Sequence, residues 1–258
     1  MDRADPRIGG ARNRCLCVHQ ARTEPGRAPD CPRVGDSFGQ RVSSYFGPGL
    51  FTFLADLAAH NDRAWFAANK DRYTREVDQP LRDFVADAGI SLGHLSPSYT
   101  EGSKFRIYRD TRFAKDKTPF NPRAAAVFSH ESKGKEHGVP GFYLHLAPGH
   151  CVGGGGMHQP DPPTLGRVRD RIVARPSDWE AVLTSGAAIE GDALKRPPAG
   201  YDPAHRFIDD VKRKSFYSMT TFTEEQVCAP DFMETYLDAC RSAAPLVSFL
   251  TRALGLTW

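Results

Sequence analysis

The spacing of apolar residues changes near Ser96 and divides the chain into a helical block followed by strands. Before Ser96, Leu50, Leu54 and Leu57 recur at the spacing of one helical face. Asn61 is of a type favoured at the N-cap of a following helix. The segment before Ser96 is therefore predicted to consist of helices.

The clearest strand signal is a hairpin at 141–154, with a turn at Pro148-Gly149. In its first strand, aliphatic side chains alternate with Tyr143 and His145. Successive strand residues point to opposite faces, so the aliphatic residues are predicted to face a core and Tyr143 and His145 the other side. Three other strands are predicted, at 105–108, 124–129 and 214–222.

Helical patterns return at 163–174, 177–185 and 231–254. Helices, then short strands joined by short turns, then helices again is the order of an α+β fold. We therefore predict N-terminal helices, a central and mostly antiparallel sheet, and C-terminal helices.

Composition separates an N-terminal extension from a folded part. Residues 1–42 are rich in Arg, Pro and Gly and poor in aliphatic residues, which predicts a disordered extension. Residues 43–258 are predicted to form a single α+β domain. No apolar run is long enough to span a bilayer, and the N-terminus lacks the apolar region of a signal peptide, so we expect a cytoplasmic protein with no membrane partner.

The basic character of the chain is local. The eight Arg and five acidic residues of 1–42 account for the net charge of +3 of the whole chain. Within the rest, 104–123 holds seven basic and two acidic residues around four aromatic ones. A general nucleic-acid binder is more often basic over a whole face, so the sequence favours a nucleic-acid partner less than a small anion.

The cations of 104–123 are the candidate ligand-binding residues. Guanidinium groups bind carboxylate or phosphate through paired hydrogen bonds, and neighbouring aromatic rings strengthen such contacts by excluding water. A small anionic ligand, preferably a phosphate, is the predicted partner. The candidate anion ligands are Arg106, Arg109, Arg112, Lys115 and Lys117.

Asp110 and Asp116 are the candidate catalytic residues of the same motif. Either one could orient the arginines, hold a divalent ion or act as a base. A purely structural reading stands beside these roles, in which Arg109 and Arg112 form ion pairs with acids such as Asp56 or Asp62.

A run of four glycines, 153–156, follows the hairpin. Gly153 and Gly155, together with Tyr143 and His145, are predicted to line the pocket, because bare backbone can approach an anion closely. The run matches neither the Walker nor the dinucleotide pattern. Its alternative role is close packing of a strand against a helix.

No metal site is predicted, and the sequence names no cofactor and sets no oligomeric state. His145, His150, His158 and Cys151 lie close in sequence, but their convergence would need a particular fold-back of the chain. The six cysteines lack the spacing of a zinc knuckle.

The segment FRIYRDTRFAKDKTPF at 105–120 resembles the hallmark of an uncharacterised bacterial family, the domain of unknown function numbered 2461. The opening FLADLAAHNDRAWFAANKDRY, the hairpin GFYLHLAPG and the following VGGGG agree with it, so the resemblance covers about residues 50–254. It implies one intact domain and brings no function with it.

From the residues, we therefore expect a binder of, or an enzyme acting on, a small phosphorylated or carboxylated ligand. The alternatives are a nucleic-acid or protein interaction module, which the second basic cluster Lys212-Arg213-Lys214 would extend, or a purely structural motif.

Overall fold

The computed structural model describes residues 44–112, 115–132 and 138–258, and the predicted extension at 1–42 lies outside them. A π-helical turn at Thr74–Asp78 joins two of the helices, and a 3-10 turn occupies Pro97–Tyr99. The helices are α1 (Pro48–Ala59), α2 (Arg63–Ala68), α3 (Lys70–Tyr73), α4 (Gln79–Leu95), α5 (Pro162–Ala174), α6 (Pro176–Thr184), α7 (Ile208–Val211), α8 (Glu224–Cys228) and α9 (Phe232–Ala253). The strands are β1 (Gly102–Lys104), β2 (Ala124–Ser129), β3 (Gly141–Ala147), β4 (His150–Met157) and β5 (Phe216–Phe222).

The strands form one sheet in the order β1-β2-β3-β4-β5, and every neighbouring pair is antiparallel. Helices α1 to α4 precede this meander, and α9 follows it. The predicted α+β fold, in which helices precede and follow a central antiparallel sheet along the chain, is confirmed.

One face of the sheet packs against helices. Phe142, Leu144 and Leu146 of β3 point to this face and are completely buried. The ring of Phe128 in β2 lies 6.1 Å from that of Tyr236 in α9, and α4 packs on the same side through Val85, which a Cβ at Gly102 would contact. Burial of these side chains fixes the register of the sheet, because a shift of one residue would expose the whole set.

The opposite side of the sheet, which we call the open face, carries Tyr143 and His145, as the alternation predicts. Both side chains are only half-buried. The helices that pack on the described sheet, α4 and α9, lie on the other side. The register places further side chains on the open face, namely Ser103, Ala125, Val127, Ser129, Val152, Tyr217, Met219 and Thr221.

Two local predictions were wrong. The N-cap of α2 is Asp62, whose side chain accepts hydrogen bonds from the backbone N–H groups of Ala64 and Trp65, and not Asn61. The first strand is β1, which ends before Phe105. None of the helices in the described residues combines the length and the apolar character that a helix needs to cross a bilayer.

Candidate functional site

The basic motif forms an irregular two-stranded ribbon, residues 105–123, between the neighbouring strands β1 and β2. We call it the basic ribbon; its residues 113 and 114 are outside the described ranges. Near its base, the N–H of Asn121 donates to the carbonyl of Ile107 at 2.7 Å. Further out, the N–H of Arg109 donates to the carbonyl of Pro119 at 2.9 Å. The charged residues 110–117 therefore lie at the far end of a hydrogen-bonded ribbon.

Aromatic side chains attach the basic ribbon to α2. The rings of Phe120 and Phe66 are stacked with centroids 4.2 Å apart. Tyr108 packs at 5.3 Å from Phe120 and 5.9 Å from Phe66. These rings contact a helix instead of a neighbouring strand, which explains why 105–108 does not continue as the predicted strand.

Asn61 fixes the basic ribbon from a second direction. Its Nδ2 donates to the carbonyl of Phe120 at 3.0 Å, and its Oδ1 accepts from the N–H of Phe120 at 3.1 Å. One side chain thus satisfies both backbone groups of Phe120.

Arg109 is paired inside the ribbon. Its guanidinium forms an ion pair with Asp116 and donates to the hydroxyl of Thr118 at 2.8 Å. The backbone N–H of Thr118 and the guanidinium of Arg109 lower the pKa of Asp116 to about 2. Asp116 is therefore ionised at neutral pH and holds Arg109 in place, and a carboxyl with so low a pKa is a poor base.

Arg112 and Lys117 also have partners in the ribbon. The guanidinium of Arg112 pairs with Asp110 at 2.7 Å and lowers its pKa, so Asp110 is also a weak base. Lys117 donates to the carbonyl of Thr111 at 2.9 Å. Three of the five predicted anion ligands are thus engaged with groups of their own motif.

The predicted ion pairs to Asp56 or Asp62 are wrong. Asp56 instead pairs with Arg72 at 2.6 Å, and Asp62 caps α2. The acids that pair with Arg109 and Arg112 therefore come from the ribbon itself, and each balances one arginine.

In the described part of the basic ribbon, three exposed cations have neither an ion pair nor a side-chain hydrogen bond: Arg106, Lys115 and Arg123. Arg123 lies at the base of the ribbon, two residues before Ala125 on the same chain. Ala125 is on the open face directly opposite His145, and the positive charge of Arg123 acts on the pKa of both Tyr143 and His145, so Arg123 lies close to these side chains.

A cluster of polar and aromatic groups surrounds Arg123 on the open face. The hydroxyl of Tyr143 lies 3.2 Å from Nδ1 of His145, at hydrogen-bond distance. The rings of His145 and His150 are 4.9 Å apart, and the ring of Phe105 meets that of Tyr143 edge-on at 6.0 Å. We call these five residues, Arg123, Tyr143, His145, His150 and Phe105, the open-face cluster.

His145 is uncharged at neutral pH. Burial, followed by the positive charge of Arg123 and the neighbouring His150, lowers the pKa of His145 to about 4. Burial also raises the pKa of Tyr143, although Arg123 opposes this shift. The guanidinium of Arg123 therefore lies near two hydrogen-bonding groups, Tyr143 and His145, that are neutral at pH 7.

Gly153 and Gly155 face α9 and not the open face. A Cβ at Gly153 would lie 2.9 Å from the ring of Tyr236, and one at Gly155 would lie 2.7 Å from Val247. Gly156 has a φ of 147°, which side chains rarely adopt. The geometry supports the alternative role of the glycine run, the close packing of a strand against a helix.

No group of three or more metal-ligating side chains occurs in the part of the chain that the structure describes. Cys151 points to the buried face of the sheet, opposite Leu146 and Phe222, whereas His145 is on the open face. Of the four potential metal ligands that lie close in sequence, the structure brings His145 and His150 into ring contact.

The structure therefore divides the predicted site residues into two groups. The tip of the basic ribbon holds Arg109, Arg112 and Lys117 with their acids, and the open face holds Tyr143 and His145. Sequence reasoning missed the residue that lies between them, Arg123. The signal in the sequence was its position two residues before Ala125, directly before the strand that pairs with β3.

The fold and this site define an α+β protein with a five-stranded antiparallel meander, helices on one sheet face and a basic ribbon at its edge. The sequence profile of a conserved hypothetical protein family, DUF2461, matches residues 49–249. The chain belongs to this family, which confirms the resemblance seen in the motif. A comparison with curated proteins found no match.

Proposed function

We propose that this protein binds a small phosphorylated or carboxylated ligand at the open-face cluster, with Arg123 as the principal anion ligand. The observation that supports this most strongly is that Arg123 is exposed, has no carboxylate partner in the described residues, and lies beside the half-buried Tyr143 and His145. An exposed guanidinium that is not already paired can offer its fork of donors to an incoming oxyanion.

The neighbouring groups complement Arg123 without neutralising it. If the Tyr143 hydroxyl donates to Nδ1, the neutral ring of His145 carries its proton on Nε2 and can donate it to a ligand oxygen. His150 lies next to this ring and is exposed. An anion here would meet the positive charge of Arg123 and a neutral donor of His145, and hydrogen bonds between an ionised donor and an oxyanion are among the strong ones.

Fewer residues of the basic motif bind the anion in this proposal than the sequence predicted. The side chains of Arg109, Arg112 and Lys117 bind groups of the ribbon itself. In this proposal they stabilise the ribbon and do not bind the anion. Arg106 and Lys115 are exposed on the ribbon and add to its positive potential. Asp110 and Asp116 serve in this proposal to orient arginines.

A second candidate function is a nucleic-acid or protein interaction through the outside of the basic ribbon. The observation that favours it is the exposure of Tyr108, which is 62% exposed on a ribbon that also carries Arg106 and Lys115. An exposed aromatic ring beside cations is a feature of interaction surfaces.

The test is stabilisation of the full chain by pyrophosphate and by citrate, followed as thermal unfolding. A ligand at 100 times its Kd adds about 2.7 kcal/mol to the free energy of unfolding. We expect Arg123→Gln to abolish this gain. The matched control is Arg112→Gln, which removes an exposed but internally paired arginine of the same motif and is expected to keep the gain. Equal stabilisation of the two variants, or none of the wild type, would refute the proposal.

A further inference from the structure

Within the open-face cluster, Phe105 presents a flat apolar surface. Its backbone N–H donates to the carbonyl of Ala125 at 2.8 Å, which continues the β1–β2 ladder by one residue. Its ring meets Tyr143 edge-on at an interplanar angle of 80°. Although its backbone is fixed in this way, its side chain is 47% exposed, an unusual exposure for a phenylalanine held on a sheet.

The register places this ring close to Arg123. Ala125 lies opposite His145 on one side and next to Phe105 on the other, and Arg123 is two residues away along the same strand. Two residues of extended chain span at most about 7 Å, a distance that the long side chain of Arg123 can cover. The lowered pKa of His145 is consistent with this proximity.

We infer that the anion bound at Arg123 is the phosphate of a mononucleotide whose base stacks on Phe105. The inference rests on the proposed function, because it assigns the ligand class of the same site. A mononucleotide carries a flat aromatic base and a phosphate joined by one sugar, and the open-face cluster offers a flat exposed ring and an unpaired guanidinium on neighbouring strands. Aromatic side chains bind nucleobases by stacking without regard to base identity.

The site fits one nucleotide better than a strand. A single-stranded nucleic acid needs successive aromatic platforms and a track of cations along its backbone. Beyond Phe105 and Tyr143, the next open-face positions along these rows are Val127, Val152 and Gly154, which supply neither.

The test compares ligands that each lack one part, with affinity for the full chain measured by calorimetry. Pyrophosphate and ribose 5-phosphate carry phosphate without a base, uridine carries a base and sugar without phosphate, and AMP and UMP carry base, sugar and phosphate. We expect AMP and UMP to bind at least about fivefold more tightly than ribose 5-phosphate, the gain that one stacked base provides. We expect the gain to be lost in Phe105→Leu and kept in Phe105→Tyr, with ribose 5-phosphate binding alike in all three proteins.

The outcomes separate the two proposals. If pyrophosphate and ribose 5-phosphate bind in an Arg123-dependent way but AMP and UMP bind no better, the nucleotide inference is wrong and the anion site stands. If none of these probes binds, both fail. An eight-residue oligothymidylate offers eight nucleotides to one site, which alone would make it bind up to about eightfold more tightly than UMP. If it binds more tightly than this factor allows, the ligand is a strand and the mononucleotide assignment is overturned.

Discussion

The side-chain amide of Asn61 binds both backbone groups of Phe120, donating to its carbonyl at 3.0 Å and accepting from its N–H at 3.1 Å. Asn61 lies in the turn between α1 and α2, and Phe120 lies 59 residues later in the basic ribbon. Because the Phe120 ring also stacks on Phe66, the ribbon is held to the helical block by one polar and one aromatic contact.

Replacement of Asn61 by Ala is expected to lower the free energy of unfolding by about 1–3 kcal/mol, because two partly buried backbone groups lose their partners. Urea unfolding measures the change. Asn69→Ala is the matched control, since the Asn69 side chain donates one hydrogen bond, to the carbonyl of Trp65. An equal loss in the two variants would contradict the role given to Asn61.

The sheet and its two faces were predictable because their signals are local. Alternation in 141–147 showed which side chains face the core, and the Pro148-Gly149 turn fixed the hairpin. The structure confirms this part, including the position of Tyr143 and His145 on the face away from the helices.

The partners of the charged residues could not be predicted, because they depend on contacts between segments distant in sequence. Charge alone allowed Arg109 to pair with Asp56 or with Asp116, and the ribbon geometry selects Asp116. Asn61 has the composition of an N-cap, yet the neighbouring Asp62 takes that role and leaves the Asn61 amide free to bind Phe120.

Arg109 and Arg112 are expected to differ in their effect on stability. Arg109→Ala removes a half-buried guanidinium that holds Asp116 and Thr118, so we expect a loss of about 1 kcal/mol in the free energy of unfolding. Arg112 pairs with Asp110 at an exposed position, where ion pairs contribute little. Chemical denaturation of both variants checks this order, and a larger loss in Arg112→Ala would contradict it.

The glycines that face α9 are expected to tolerate no side chain. Gly153→Ala would place a Cβ 2.8 Å from Phe222 and 2.9 Å from Tyr236. Gly155→Ala would place one 2.7 Å from Val247. Insertion of a methyl group into a packed core costs about 1–3 kcal/mol, so each variant is expected to unfold at a lower urea concentration.

Gly166 provides the control of opposite sign. It lies inside α5, and a Cβ there would meet no atom within 4 Å. Gly166→Ala is therefore expected to stabilise the protein by about 0.5–1 kcal/mol, the usual gain from replacing a helical glycine. If Gly153→Ala is as stable as Gly166→Ala, the close packing of β4 on α9 is not as the structure shows.

His145 makes the stability depend on pH in a direction that follows from its lowered pKa. Its ordinary pKa of 6.5 applies to the unfolded chain, and burial followed by Arg123 lowers the pKa in the folded protein to about 4. Between these values the unfolded chain binds a proton that the folded protein does not, so the contribution of neutral His145 is complete above about pH 6.5 and is lost as the pH falls towards 4. The expected loss is about 1 kcal/mol after allowance for solvent screening of this half-exposed group.

The variant His145→Gln keeps an acceptor for the Tyr143 hydroxyl but does not titrate. We therefore expect the free energy of unfolding of the wild type to fall more than that of the variant as the pH is lowered from 7.5 to 4.5. If the difference in unfolding free energy between wild type and variant stays constant over this range, the pKa of His145 is not lowered in the folded protein.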